Sequence, residues 1–122
     1  MGLYYENVNA NKWDFLNEIK EVGDVYSFFY FDGMEIGDKL ILHIEKVKDK
    51  PNGIYVLGTI ISNLRIETNP KSHCYGRKVI DVRIDKFSKD KPLLDFEYTK
   101  NIRKARKVSE ELTKKIMDSL GF

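Results

Sequence analysis

The chain has 122 residues, 42% of them hydrophobic and 33% charged, which suits a single domain spanning 1–122 with one core and excludes a disordered chain. No apolar run reaches the roughly 18–20 residues of a membrane span, and the start lacks the basic and apolar stretches of a leader. The single cysteine, Cys74, excludes an internal disulfide, so a reducing, cytoplasmic setting is expected. The net charge of +2 hides an asymmetry: residues 1–36 carry two lysines against seven acids, and residues 63–107 carry thirteen Lys and Arg against six acids. A basic middle fits a polyanion-facing surface and, equally, a lysine-rich soluble protein.

Leu3 to Val8 has strand composition, with Tyr4 and Tyr5 on opposite faces. Asn7, Asn9 and Asn11 follow, and Asn11 is the candidate N-cap of a short helix through about Val22. At about 100° per residue, Phe15, Leu16, Ile19 and Val22 share a face, and Trp13 falls about 130° from its centre. The only tryptophan is therefore not an evident core residue of its own helix. Gly23-Asp24 ends that helix, and the aromatic run Val25 to Phe31 reads as a strand or an irregular segment, its inward residues left open.

Asp32-Gly33 turns the chain toward a central hairpin that organises the rest. After Gly37-Asp38, Leu40, Leu42 and Ile44 point one way and Ile41, His43 and Glu45 the other. Lys48 to Gly53 is a polar turn, and Gly53 to Ile61 returns antiparallel, with Gly58 marking a bulge or barrel bend. Ser62 to Gly76 is long for a loop in a compact domain, which marks it as a working loop. Lys78 to Lys86 alternates, with Ile80, Val82 and Ile84 inward. Lys89 to Pro92 turns again, and Leu93 to Phe96 is a last short strand. Thr99 to Lys107 is basic without an acid. Ser109 then caps a helix whose first turn holds Glu110 and Glu111, whose stripe is Leu112, Ile116 and Leu120, and whose end is Gly121. This order suggests a small α+β barrel.

The residues of catalysis are mostly missing. Two distant histidines and one cysteine do not make a metal site, and a Cys74–His43 nucleophile has no local support. There is no phosphate-binding Gly-Lys-Ser/Thr loop, no dinucleotide fingerprint and no acid–base pair of carboxylates. No cofactor is implied. Binding a nucleobase instead needs flat walls for stacking, amides for the base edge and cations for flanking phosphates. Trp13, the asparagines beside it, and the basic segments Arg65–Lys78 and Lys100–Lys107 supply all three. Each has a second reading: Trp13 as the plug of a barrel end, the asparagines as turn and cap residues, the cations as solvated surface.

At these residues the chain resembles a known group. Gly37 to His43 followed by Gly53 to Ile60 resembles the central hairpin of EVE domains, relatives of YTH domains in the PUA-like superfamily. Arg77 to Ile84 followed by Pro92-Leu93 is similar to the next family strand and its exit. Phe96 to Phe122 is similar to the closing segment of EVE modules in modification-dependent restriction proteins, and Asn9 to Trp13 to the region after their first strand. The resemblance implies a small PUA-like, EVE/YTH-type curled antiparallel β-barrel with flanking N- and C-terminal helices. It implies a non-catalytic reader that receives a flipped, methylated base, the DNA-targeting module of a larger restriction protein.

By position, Asn9 and Asn11 match the loop that lines such pockets and Trp13 an aromatic wall; Tyr30 and His43 are assigned to the opposite side without a motif. Arg65, Lys71, Arg77, Lys100, Arg103, Lys104, Arg106 and Lys107 are assigned to the nucleic-acid backbone. One tryptophan is a departure from YTH cages, which commonly use two or three aromatic or apolar walls, so either a Tyr or Phe supplies the second wall or the pocket is not a cage. The alternatives are an RNA-binding module of the same fold, a small-molecule-binding or hydrolytic barrel, and a protein-interaction adaptor. No membrane partner is expected.

Overall fold

The computed structural model describes residues 2–94 and 106–121. In chain order it holds β1 (Leu3–Asn9), α1 (Phe15–Glu18), β2 (Val25–Phe29), β3 (Lys39–Glu45), β4 (Gly53–Ile60), β5 (Arg65–Ile66), β6 (Lys78–Phe87), β7 (Arg106–Lys107) and α2 (Glu110–Leu120). The strands form one curled, half-barrel sheet in the order β2-β6-β4-β3-β1-β7, with β5 paired to β6. The β3–β4 hairpin lies at its centre, as the alternation after Gly37 requires.

The sheet is mixed, where an antiparallel one was expected. β1 runs parallel to β3, from Leu3 opposite Lys39 to Asn9 opposite Glu45. Parallel neighbours need a crossover of a dozen or more residues, and the segment holding α1 and β2 provides it. Asp38 fixes the register: its carboxylate accepts from the backbone N–H of Gly2 at 2.8 Å and of Glu35 at 2.9 Å. Lys39 N–H in turn donates to the Gly2 carbonyl at 2.8 Å.

Period-two alternation sorts side chains into two cores. Tyr4, Val8, Leu40, Leu42, Ile44, Ile80, Val82 and Ile84 share the inner core with Phe15, Leu16 and Ile19. Leu3, Tyr5, Ile41, Ile54 and Leu57 face the other way, against Val108, Ile116, Met117 and Leu120 of α2. The β4–β6 register shifts at Gly58, where a Cβ would run into Val82 Cγ1 and lie 2.9 Å from the Arg83 carbonyl oxygen. Only glycine lets the strands approach that closely, and the sheet bends there.

The N-terminal helix is one turn long, shorter than the stretch from Asn11 to Val22 that the apolar spacing predicts. Asp14 is its N-cap, without a side-chain cap bond. Asp24 explains the early end: its carboxylate takes the N–H groups of Lys20 and Glu21 at 2.9 and 3.2 Å, and the Tyr26 hydroxyl donates to the Glu18 carbonyl at 2.7 Å. These contacts compete with helical bonds, and Val22 is left exposed. α2 forms as read, with Ser109 accepting from Leu112 N–H and Gly121 closing it in the left-handed region at φ 82°. Of the last short strand, Leu94 bridges to Ile54; its continuation beyond Leu94 lies outside the described residues. Among the described residues no helix is long and apolar enough to cross a membrane.

Candidate nucleic-acid interface

A cleft of about 1000 Å³ opens where the C-terminal half of β1 meets the segment after β2 and the loop before β6. β1 contributes Glu6, Asn7, Val8 and Asn9, and the chain beyond it Lys12 and Trp13. Phe29, Tyr30 and Phe31 line the cleft from the end of β2, Glu45 and Lys46 from the end of β3, and His73, Gly76, Arg77 and Lys78 from the loop between β5 and β6 and the start of β6.

Trp13 is placed by a tight turn. The Asn9 carbonyl accepts from the N–H groups of Lys12 and Trp13 at 2.9 and 3.0 Å, and Asn9 Oδ1 accepts from Asn11 N–H at 2.9 Å. The indole is half-buried and packs on Phe15 and Phe28, with ring centroids 4.8 and 5.6 Å away. Its Nε1–H donates to Glu18 at 3.2 Å. The exposed His73 ring lies 4.3 Å from it, and Arg77 stands 5.2 Å over the Phe29 ring. Flat groups thus come from three separate segments, and four cations, Lys12, Lys46, Arg77 and Lys78, share the lining with two acids, Glu6 and Glu45.

Of the residues assigned to a base pocket, the fold brings Asn9, Trp13 and Tyr30 together. Asn11 is exposed and serves the turn, apart from the lining. His43 is buried outside the lining, where it tilts against Tyr5 at 5.9 Å. It touches the cleft's lining through Asn7, whose Oδ1 lies 2.7 Å from His43 Nδ1. Its place follows from strand alternation, which turns it away from the Leu42 face.

Of the backbone cations, Arg77 lies at the cleft. Arg65 instead joins β5 to its neighbours: it donates to Asp81 at 2.9 Å and to Ser27 Oγ at 2.8 Å, and pairs with Glu67 at 3.5 Å. The Asp81 hydrogen bond raises the Arg65 pKa, and Arg65 in turn holds the Asp81 carboxyl below its usual range. Lys71 is exposed but outside the lining, and Lys107 sits on β7 opposite Tyr4. Lys100, Arg103, Lys104 and the Arg106 side chain lie outside the described residues.

Sequence reasoning named Asn7 among the amides beside Trp13 and Lys78 at the end of a basic segment, but missed Glu6, Lys12, Phe29, Phe31, Lys46 and His73 as lining residues. Glu6 carried a usable signal, since it is the one charged residue among Tyr4, Glu6 and Val8 on an otherwise apolar face. It is nine-tenths buried, and burial alone pushes its carboxyl up to about 8. Burial also pushes up the neighbouring Cys74 thiol, with the Glu6 charge adding to the effect.

No protein-family model and no curated protein matches the chain. Solved structures do. A hypothetical protein from Leishmania major aligns with a TM-score of 0.62 at 12% identity, over 99% of this chain and 95% of its own. A Pseudomonas syringae protein aligns equally well, with a TM-score of 0.62 at 12% identity over 95% and 97%. The YTH domain of the Zygosaccharomyces rouxii MRB1 protein, solved with N6-methyladenosine RNA, aligns with a TM-score of 0.53 at 14% identity over 98% and 87%. At these identities the likeness establishes the fold: a small α+β half-barrel shared with a YTH domain.

Proposed function

We propose that this chain is a non-catalytic nucleic-acid reader that receives a flipped, methylated base in the cleft beside Trp13. The observation that carries the reading is the convergence there of Trp13, Tyr30, Phe29 and His73 with Lys12, Lys46, Arg77 and Lys78. Extruding a base costs a few kcal/mol, and stacking on aromatic side chains recovers about 1–3 kcal/mol per base. A methyl group adds roughly 0.8 kcal/mol of apolar burial, so a dry cleft prefers the methylated base modestly. The cations hold the flanking phosphates.

The target favoured here is modified DNA, with the chain acting in the cytoplasm as the EVE-type targeting module of a modification-dependent restriction system. The nuclease or motor then belongs to further domains of a parent protein. RNA is the second reading, supported by the structural neighbour bound to N6-methyladenosine RNA. Titrating the chain with DNA and RNA oligonucleotides of one sequence, each plain and methylated, tests both. Tighter binding of the methylated strand is expected, and equal affinity for methylated and plain strands of both kinds refutes base reading.

A further inference from the structure

Glu6 is a buried carboxyl that stacking and phosphate contacts leave without a role. β1 presents it on the face of Tyr4 and Val8, opposite Leu42 of β3, at the cleft that Trp13 and Asn9 also line. It is nine-tenths buried, and its Oε2 is closed off from solvent without a hydrogen-bond partner among the described residues. A buried polar atom left unpaired is costly. A ligand that supplies the missing hydrogen bond offsets that cost.

We infer that Glu6 reads the edge of the base received beside Trp13 and selects amino-heterocycles of the adenine or cytosine type. The inference rests on the proposed base-reading function and names the base class for that site. A neutral carboxyl offers one O–H donor and one carbonyl acceptor. Adenine and cytosine present the complement, a basic ring nitrogen beside an amino N–H, and a methyl group on N6 of adenine or C5 of cytosine leaves that pairing available. Thymine and uracil offer the acid's proton only a weakly basic carbonyl oxygen and come second. Guanine offers a neutral acid only the same weakly basic carbonyl beside an N–H, and its two adjacent donors, N1–H and the 2-amino group, suit the ionised carboxylate better.

Burial keeps Glu6 neutral at pH 7 and ionised well above pH 8. Tyr4 shares its strand face and Cys74 lies near it, and the titratable or charged groups lining the same cleft are Lys12 beyond β1, Tyr30 after β2, Glu45 and Lys46 at the end of β3, and His73, Arg77 and Lys78 from the loop before β6 and its first residue. His43 lies outside that lining. Four cations at the cleft also disfavour a positively charged guest, which a buried carboxylate beside aromatic rings would otherwise suit.

The test uses the full chain and the fluorescence of its only tryptophan. Short DNA and RNA strands carrying a single base in an abasic background are titrated at pH 6.5 and pH 9. The guests are adenine, N6-methyladenine, cytosine, 5-methylcytosine, guanine and thymine or uracil. At pH 6.5 the amino-bases are expected to bind about tenfold or more tightly than guanine, a preference lost at pH 9. Glu6→Gln, whose amide keeps a donor and an acceptor at every pH, is expected to retain the preference at both. Glu6→Leu is expected to lose it at both while remaining folded by thermal unfolding. A preference that survives in Glu6→Leu, or that falls with pH in Glu6→Gln as it does in the wild type, overturns the edge-reading role. Persistent binding that depends on Trp13 would then leave the base-reading function standing. Absence of any Trp13-dependent binding overturns both. The DNA and RNA arms identify which strand delivers the base.

Discussion

Trp13 has two separable roles, one face packed on Phe15 and Phe28 and the rest fronting the cleft. Trp13→Ala is therefore expected to lower affinity for a methylated strand about 5- to 150-fold, the range set by losing one base–aromatic stack. Weak binding to plain strands should fall far less, because phosphate contacts dominate it. Parallel titrations check this, and an equal loss on both strands would place the indole outside base recognition. Glu6 makes a second prediction, on stability. Its carboxyl titrates near 8 when folded and near 4.5 when unfolded. The folded state thus holds a proton that the unfolded chain releases, and stability falls as pH rises from about 4.5 to about 8. Urea denaturation should show a loss on the order of a few kcal/mol across that window, and Glu6→Gln should flatten it. An unchanged slope in Glu6→Gln would assign the effect to another group.

Among the elements, β4 depends most on one position. Gly58→Ala drives a Cβ into Val82 and the Arg83 carbonyl, and it is expected to destabilise the fold by about 1–3 kcal/mol, measured by chemical denaturation. A neutral result would show that β6 can move away. The break at Gly58 was legible in advance, as was the β3–β4 hairpin, because Gly37-Asp38, the polar turn from Lys48 to Gly53 and Gly58 itself punctuate two apolar runs. α2 was legible for a local reason as well: Ser109, the Leu112–Ile116–Leu120 stripe and Gly121 state its start, face and end. The extent of α1 was not. Phe15, Leu16 and Ile19 satisfy a helical spacing, but the competing ligands of its backbone, Asp24 and Tyr26, lie a few residues downstream and fold back on it, which apolar spacing does not register. The parallel pairing of β1 was hidden likewise, resting on Asp38 reaching back to Gly2. At the cleft, Trp13 could be singled out because its angle disagreed with its neighbours. Phe29, Phe31 and His73 could not, since only the fold decides which aromatics of a dense run, or which loop ring, turn toward the indole.

Across the whole molecule, charge does different work in different places. Arg77 and Lys78 stand at the cleft, and Arg65 is consumed in holding β5 to β2 and β6. Neutralising Arg77 and Lys78 together is expected to weaken binding to every sequence and to reduce the slope of log affinity against log salt by about 1 to 2. Arg65→Gln is expected to lower stability and leave that slope unchanged. A slope that responds to Arg65 and ignores Arg77 and Lys78 would move the contact surface to the β5 side of the sheet.

The resting position of His73 has a thermodynamic consequence of its own. An imidazole already leans on the indole at 4.3 Å, so a guest that stacks on that side trades one ring for another. The affinity then registers a difference between two stacked arrangements, a common cost that lowers every guest's affinity alike and leaves the choice among guests to the rest of the cleft.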